Sequence, residues 1–293
     1  MKKIIIAGGT GFIGSYISKR FLESCYDVQI VSRNHADIKW DINELSEAMN
    51  GAEMVINLAG KSINCRHTES NRKAIINSRV NSTTLIGNAI SACDNPPKLW
   101  VNASATGIYR SSHKHPMTED ETDLGNDFLA KVVTMWEKAM DDFKLPVTRQ
   151  IALRTSVVLG YKGGALKPLV LLSSFGLGGK QANGKQMVSW IHLEDYFRIL
   201  VFILKNEKIE GIINCTAPEP VSNAQFMKNI RLANHVAFGI PAPAFAIKLG
   251  SLIIGTEPEL ILNSSYVVPK RLIDAGFKFN FPYIDSALND LLN

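Results

Sequence analysis

The sequence predicts an α/β protein: a doubly wound parallel sheet covered by helices, with a smaller C-terminal domain. Three observations predict it. Short apolar runs alternate with segments of helical periodicity from Lys3 to Gly160, and that alternation builds a parallel sheet with helices on both faces. A glycine-rich turn, AGGTGFIG, follows directly on the first apolar run. After Gly160 the rhythm breaks, and from about Phe238 prolines punctuate short helical stretches.

The elements follow in order. Lys3 to Ala7 is a short apolar run; glycines come next, then Ile13, Ile17 and Phe21 at helical spacing. Together they make a strand, a tight turn and a helix. Val28 to Val31 is a second strand, and MVINLAG from Met54 a third. The mixed pattern from Glu69 to Ala92 predicts a helix lying on a sheet. LWVNAS from Leu99 is the fourth strand, DFLAKVVTMWEKAM from Asp127 a helix, and VTRQIALRTSVVLG from Val147 supplies the fifth strand. A glycine-rich stretch, GLGGKQANGKQ from Gly176, precedes SWIHLEDYF, and GIINCTAPEP from Gly211 is a further buried strand ending in a proline turn. The expected division is a cofactor-binding domain over 1–237, with a substrate-side insertion at about 164–190, and a small domain over 238–293.

Composition bounds the function. At 293 residues and 46% hydrophobic content the chain can bury a large core. Its 32 basic and 27 acidic residues give a net charge of +5 without basic runs or interleaved aromatics, which argues against nucleic acid as a partner. Cys25, Cys65, Cys93 and Cys215 lie far apart with no Cys-x-x-Cys pair; this argues against a zinc site or a disulfide framework and suits a reducing, cytoplasmic compartment. The apolar run in MKKIIIAGG is too short for a signal peptide. No stretch reaches the roughly 20 apolar residues of a membrane span, so no membrane partner is expected.

In AGGTGFIG, Gly8, Gly11 and Gly14 stand between strand and helix. Glycines allow the sharp turn, let backbone N–H groups approach a pyrophosphate and leave room for helix on strand, while the helix N-terminus attracts the anion. Gly8, Thr10, Gly11, Phe12, Ile13 and Gly14 are the candidate contacts of a Rossmann-type cofactor turn. The end of the second strand selects the cofactor. Ser32-Arg33-Asn34 stands where NAD-preferring proteins carry a carboxylate, and a hydroxyl with a guanidinium binds a 2′-phosphate that a carboxylate repels. NADP(H) is the expected cofactor.

These features, with Asn57-Leu58-Ala59-Gly60, Ser78-Arg79, SATGIY from Ser104, the Phe128-Leu129-Ala130 and Trp136-Glu137 helix, GLGG followed by SWIH, and VVPKRLIDAGFKF near the end, resemble the epimerase-like, atypical branch of the short-chain dehydrogenase/reductase family. Its members are described as NAD-dependent epimerases or dehydratases and sugar-nucleotide epimerases. The match spans nearly the whole chain. The resemblance implies an extended short-chain dehydrogenase fold with a small C-terminal domain and bound NADP(H), but no substrate. It further implies that Leu58, Ala59 and Gly60 line the cofactor, that Arg79 reaches it from a helix, and that Val158 flanks the nicotinamide side.

In that superfamily a tyrosine acts as acid or base, and a lysine one helical turn later lowers its pKa and holds the ribose. DFLAKVVTMWEK has no such pair. Lys131 would need its tyrosine at Asp127, and alignment on Glu137 or on Phe128-Leu129-Ala130 sets Phe128 or Leu129 opposite Val132 or Val133. The literal Tyr266-Val-Val-Pro-Lys270 is rejected, because Pro269 disfavours the helix that the pair requires. SATGIY follows the fourth strand, where ligands meet the cofactor at the carboxyl ends of a parallel sheet. Ser104, Thr106 and Tyr109 are therefore the candidate catalytic residues, with Tyr109 preferred as proton donor. Matching Tyr109 to the family tyrosine places the family serine at Ala105, one residue from Ser104.

Glu119, Asp120 and His192 read either as caps and core groups or as cleft residues. His113 and His115 alone make a poor metal site, and no metal is expected. Lys180 and Lys185 are placed to meet an anionic group or solvent. Two function classes follow: an NADP(H)-dependent oxidoreductase or epimerase-like enzyme acting on a small substrate, free or nucleotide-linked, with a remodelled proton relay; or a regulatory protein that kept the cofactor site and lost catalysis.

Overall fold

The computed structural model describes residues 1–33, 37–161, 163–255 and 257–293; Asn34 of the Ser32-Arg33-Asn34 motif lies outside the described residues. The first half alternates strand and helix: β1 (Lys3–Ala7), α1 (Phe12–Glu23), β2 (Asp27–Val31), α2 (Ile42–Met49), β3 (Met54–Asn57), α3 (Glu69–Ser91), β4 (Leu99–Ala105), α4 (Phe128–Asp141) and β5 (Arg149–Thr155). Then come β6 (Val157–Gly160), β7 (Gly163–Gly164), α5 (Leu166–Ser174), β8 (Met187–Val188), β9 (Trp190–His192), α6 (Leu193–Lys205), β10 (Gly211–Cys215), β11 (Val221–Ser222) and α7 (Asn223–Ala233). The C-terminal part carries α8 (Ala244–Ile254), α9 (Glu259–Leu262), α10 (Lys270–Asp274) and α11 (Ile284–Leu292).

The sheet has six strands in the order β10-β5-β4-β3-β1-β2, and every pair is parallel. Side chains of a strand alternate between faces, and β1 makes the alternation plain. Ile4 and Ile6 enter the core under α1 and α6 with Phe21, Tyr196 and Leu200. Ile5 and Ala7 enter the opposite core under α2 and α3 with Leu45, Ile86 and Ile90. The chain leaves β1 for β2 on one side and returns to β3 on the other. That reversal opens a crevice at the carboxyl ends of β1 and β3, the place where open parallel sheets bind ligands.

The fifth strand of the sequence reading divides in two. β5 stays in the sheet between β4 and β10, whereas β6 leaves it to pair with β9 and β7. Ser156 is the hinge: its N–H bonds Cys215 O at 3.2 Å, and the next N–H, of Val157, turns to Ser189 O at 3.3 Å.

The C-terminal part does not stand alone. Leu272 and Phe277 join the core beneath α6, while Ile284, Ala287 and Leu288 pack with Phe226 and Ile230 of α7. Residues 264–268 run as a strap between two earlier segments. Ser264 Oγ donates to Ser112 O, Met117 N–H donates to Tyr266 O at 2.7 Å, and Ser189 Oγ donates to Ser265 O at 2.9 Å. Among the described residues no helix is long and apolar enough to cross a membrane.

Candidate functional site

The glycine turn lies at the mouth of the crevice. Gly8 adopts φ +79°, a region costly for any side chain, and a Cβ there would fall 3.0 Å from the backbone of Leu58 and Ala59. At Gly14 a Cβ would meet Gly8 O and the Gly9 backbone, so helix and strand touch directly. Gly11 caps α1 without a side-chain acceptor, which leaves the first-turn N–H groups of Phe12, Ile13 and Gly14 for an anion. Thr10 and Gly11 are exposed at the rim, while Phe12 and Ile13 are half-buried. The Phe12 ring fits against Gly160, Gly163 and Gly164, which brings the turn of α1 against β6 and its Val158.

The Leu58-Ala59-Gly60 turn is held from below. Asn57 Oδ1 accepts from Ala59 N–H at 3.1 Å, and Asn57 Nδ2 donates to Asn102 Oδ1 at 2.7 Å and to Thr83 Oγ1 at 3.2 Å. Trp136 Nε1 donates to Thr83 Oγ1 at 3.0 Å. This buried network joins β3, α3, β4 and α4. Sequence reasoning quoted Asn57 within a motif and missed its role; an asparagine two residues before the amide it caps was the available signal.

Arg79 extends from α3 over this turn. Its guanidinium lies 5.0 Å over the Trp136 ring and packs against Gly60. Nη1 donates to Lys61 O at 2.9 Å and to Ile75 O at 3.2 Å. Burial lowers its pKa to about 10, and it forms no ion pair among the described residues. Ser32 is buried and Arg33 exposed immediately beyond β2. A bare glycine cradle, a helix N-terminus and an uncompensated cation beside them fit a dinucleotide with a pyrophosphate.

The β4 mouth is different. Ser104 Oγ donates to Glu137 Oε1. Arg154 grips Glu137 with two bonds of 2.8 Å from Nε and Nη2, and its Nη1 donates to Tyr109 Oη at 2.8 Å. Tyr109 Oη donates in turn to Asn214 Oδ1 at 2.8 Å. Asn214 Nδ2 reaches Val268 O at 3.1 Å, and Asn214 N–H reaches Glu119 Oε1 at 3.0 Å. Ser104, Tyr109, Glu137, Arg154 and Asn214 are all buried. Burial would lower the pKa of Arg154, but the hydrogen bonds and charge of Glu137 outweigh it and push it up. Burial pushes the Tyr109 phenol up, with Arg154 opposing. The three candidates of SATGIY thus part company: Ser104 and Tyr109 close a buried chain, and the Thr106 hydroxyl, in the 3₁₀ turn Thr106–Ile108, has no hydrogen-bond partner among the described residues.

Helix α4 places apolar groups where a tyrosine–lysine pair would stand. Val132 and Val133 are buried, Leu129 is half-buried and Lys131 points to solvent. Asp127 caps the helix by accepting from Ala130 N–H at 2.9 Å. Tyr266 sits in the extended strap, and Lys270 opens α10 in ion pairs with Asp120 and Asp274. Glu119 Oε2 accepts from Arg271 N–H in the first turn of α10 at 3.3 Å. His192 caps α6, its Nδ1 accepting from Glu194 N–H at 3.0 Å, and stacks on Phe281 at 3.9 Å. His113, His115, Lys180 and Lys185 are exposed. A cavity of about 640 Å³ lined by Lys98, Pro146, Arg149 and Glu210 opens at the amino ends of β4 and β5, across the sheet from the glycine turn.

Comparison with known proteins places these features in context. The sequence model of the NAD dependent epimerase/dehydratase family matches residues 4–132, and a domain of unknown function, DUF1731, matches residues 242–291. The chain is 34% identical to the epimerase family protein YfhF of Bacillus subtilis (strain 168), over 99% of this chain and 97% of that protein. It is 32% identical to the epimerase family protein SDR39U1 of Mus musculus, over 99% of each. The crystal structure of human epimerase family protein SDR39U1 (isoform 2) with NADPH superposes with a TM-score of 0.91 at 30% identity, covering 99% of both chains.

Proposed function

Since this chain belongs to the NAD-dependent epimerase/dehydratase family, we propose that it binds NADP(H) and exchanges hydride with a small substrate, free or nucleotide-linked, at the carboxyl ends of β1, β3 and β4. The observation that carries the reading is Arg79: a half-buried cation that forms no ion pair among the described residues, packed on Gly60 beside a turn whose Gly8, Gly9 and Gly14 have no room for a Cβ. A similar protein, human SDR39U1, was crystallised with NADPH, in keeping with the cofactor.

Each residue then has a task. The N–H groups at the start of α1 and the turn Gly8 to Gly14 take the pyrophosphate. Ser32 and Arg33 hold the 2′-phosphate, and Leu58, Ala59 and Gly60, fixed by Asn57, wall the cofactor with Arg79. Val158 and Phe12 close the nicotinamide side. The bound cofactor supplies or accepts the hydride. Thr106 donates a hydrogen bond to the substrate oxygen on which charge develops, and the proton is exchanged with water, because Leu129 and Val133 carry no titratable group. Ser104 and Tyr109 keep the end of β4 in place.

Arg33→Ala tests the cofactor assignment. A charged hydrogen bond contributes about 1.5–3 kcal/mol, so NADPH binding should weaken roughly 10- to 150-fold while NADH binding changes far less. Equal losses for both in a titration would remove Arg33 from the 2′-phosphate. The second reading, an NADPH-responsive protein without turnover, draws on the commitment of Ser104 and Tyr109 to buried partners. Tight NADPH binding with no turnover across sugar nucleotides, aldehydes and ketones would favour it.

A further inference from the structure

Two stretches of the chain, 156–193 and 220–256, hold seven lysines and arginines and no aspartate or glutamate, which leaves 25 basic against 27 acidic residues for everything else. The positive charge of this protein is therefore regional. The same stretches carry exposed phenylalanines: Phe175 is 73% exposed, Phe238 68% and Phe245 73%. Ile240, Leu249 and Leu252 are each more than half exposed.

Backbone pairing brings the two stretches edge to edge. Ile240 N–H donates to Gly176 O at 2.8 Å, Gly179 N–H to Ile240 O at 3.2 Å and Ala242 N–H to Lys180 O at 3.0 Å. The Phe238 ring lies against Gly176, 3.1 Å from where a Cβ would stand. Through Pro243 this edge continues into α8, whose buried side chains among those described are Ile247 and Ser251. Phe245, Leu249 and Leu252 follow one another by four and three residues and form one outward stripe. Lys167, Lys180, Lys185, Lys228 and Lys248 on these stretches are exposed and form no ion pair among the described residues.

We propose that this surface docks on the headgroup layer of an anionic phospholipid bilayer. Exposed rings and leucines that no other part of the described chain covers mark an interaction face. The favoured partner is anionic, because the two stretches carry cations and no carboxylate, with Glu194, Glu219 and Glu257 only just beyond their ends. A second copy of the same face would set lysines against lysines, which opposes self-pairing. A bilayer with anionic lipids meets both demands, taking the apolar groups at the acyl boundary and the ammonium heads at the phosphates. No spanning helix is needed for such contact, and the lack of a span was the ground of the sequence expectation of no membrane partner.

Sedimentation of the full chain with vesicles tests the proposal. Binding to phosphatidylcholine containing phosphatidylglycerol should exceed binding to phosphatidylcholine alone by about tenfold or more, and high salt should weaken it. Phe175→Ser with Phe245→Ser should abolish it at an unchanged melting temperature, since both side chains are exposed, and Lys180→Glu with Lys248→Glu should remove the preference for the anionic lipid. Phe245→Trp supplies a gain of signal: brominated lipids should quench its fluorescence. Equal binding to both vesicle types, no binding, or an unquenched Phe245→Trp would overturn the proposal. So would concentration-dependent self-association that Phe245→Ser abolishes, because it would assign the face to a second copy.

Discussion

Arg79 and Arg33 are both cations near one crevice, yet they are held differently. Arg79 is fixed by two carbonyls and an indole ring, so its charge is in position before any ligand arrives, whereas Arg33 is exposed beyond the end of β2. Tyr109 and Thr106 form the parallel contrast among hydroxyls. Tyr109→Phe removes a group that both accepts from Arg154 and donates to Asn214, so it should cost about 1–3 kcal/mol of stability. Thr106→Val should leave stability nearly unchanged and lower any NADPH-dependent turnover about 10²-fold, the scale of one lost oxyanion donor. Denaturant melts and turnover on the two variants check this; a turnover loss confined to Tyr109→Phe would return the chemistry to the phenol. The glycine turn was legible because its signal is complete within a few residues. The hydrogen-bond partners of Tyr109 were not, since Arg154 and Asn214 lie 45 and 105 positions away and only the packing of β4, β5 and β10 brings them together.

Helix α4 binds the sheet through the Glu137–Arg154 ion pair, hydrogen bonds from Ser104 and Gln150, and a row of apolar groups. Glu137 and Arg154 are 8% and 3% exposed, and removing one partner of a buried pair leaves the other charge stranded at a cost of about 3–5 kcal/mol. Glu137→Gln should lose that much in chemical denaturation, and a loss near zero would mean that Arg154 finds water. Helix α6 begins with a titratable cap. Burial holds the His192 imidazole below the ordinary histidine range, against the pull of Asp290, Asp195 and Glu194; Asp290 Oδ2 stands 3.3 Å from Nε2. Between the depressed folded value and the ordinary value near 6.5 the unfolded chain binds the extra proton, so stability should fall as pH drops through that window. His192→Asn keeps an N-cap acceptor and should flatten the dependence; an equally steep fall of melting temperature would assign it to other groups. The alternation of helix and strand was readable from periodicity. The departure of β6 from the sheet was not, because Arg154-Thr155-Ser156 is only a three-residue polar interruption within VTRQIALRTSVVLG, and it is pairing with Trp190 and Ile191 that draws the second half away.

At the scale of the whole molecule the C-terminal region, residues 238–293, is structural timber for the rest. Leu272, Phe277, Ile284 and Leu288 are buried against elements laid down earlier, and the strap satisfies polar groups of the 111–117 and 187–189 segments. A chain ending at 238 should therefore expose apolar core and aggregate; a soluble monomer with a cooperative melt would contradict this. A small C-terminal region was legible from its prolines, while its dependence on Ser112, Glu119 and Ser189 was invisible in one dimension. The strap also sets a schedule for biosynthesis. Ser264 and Ser112 are 152 positions apart, and at roughly 5–20 residues per second a ribosome needs on the order of ten to thirty seconds to bridge them. For that interval the nascent 111–117 segment lacks these partners, and its docking waits for residues 264–268 to emerge.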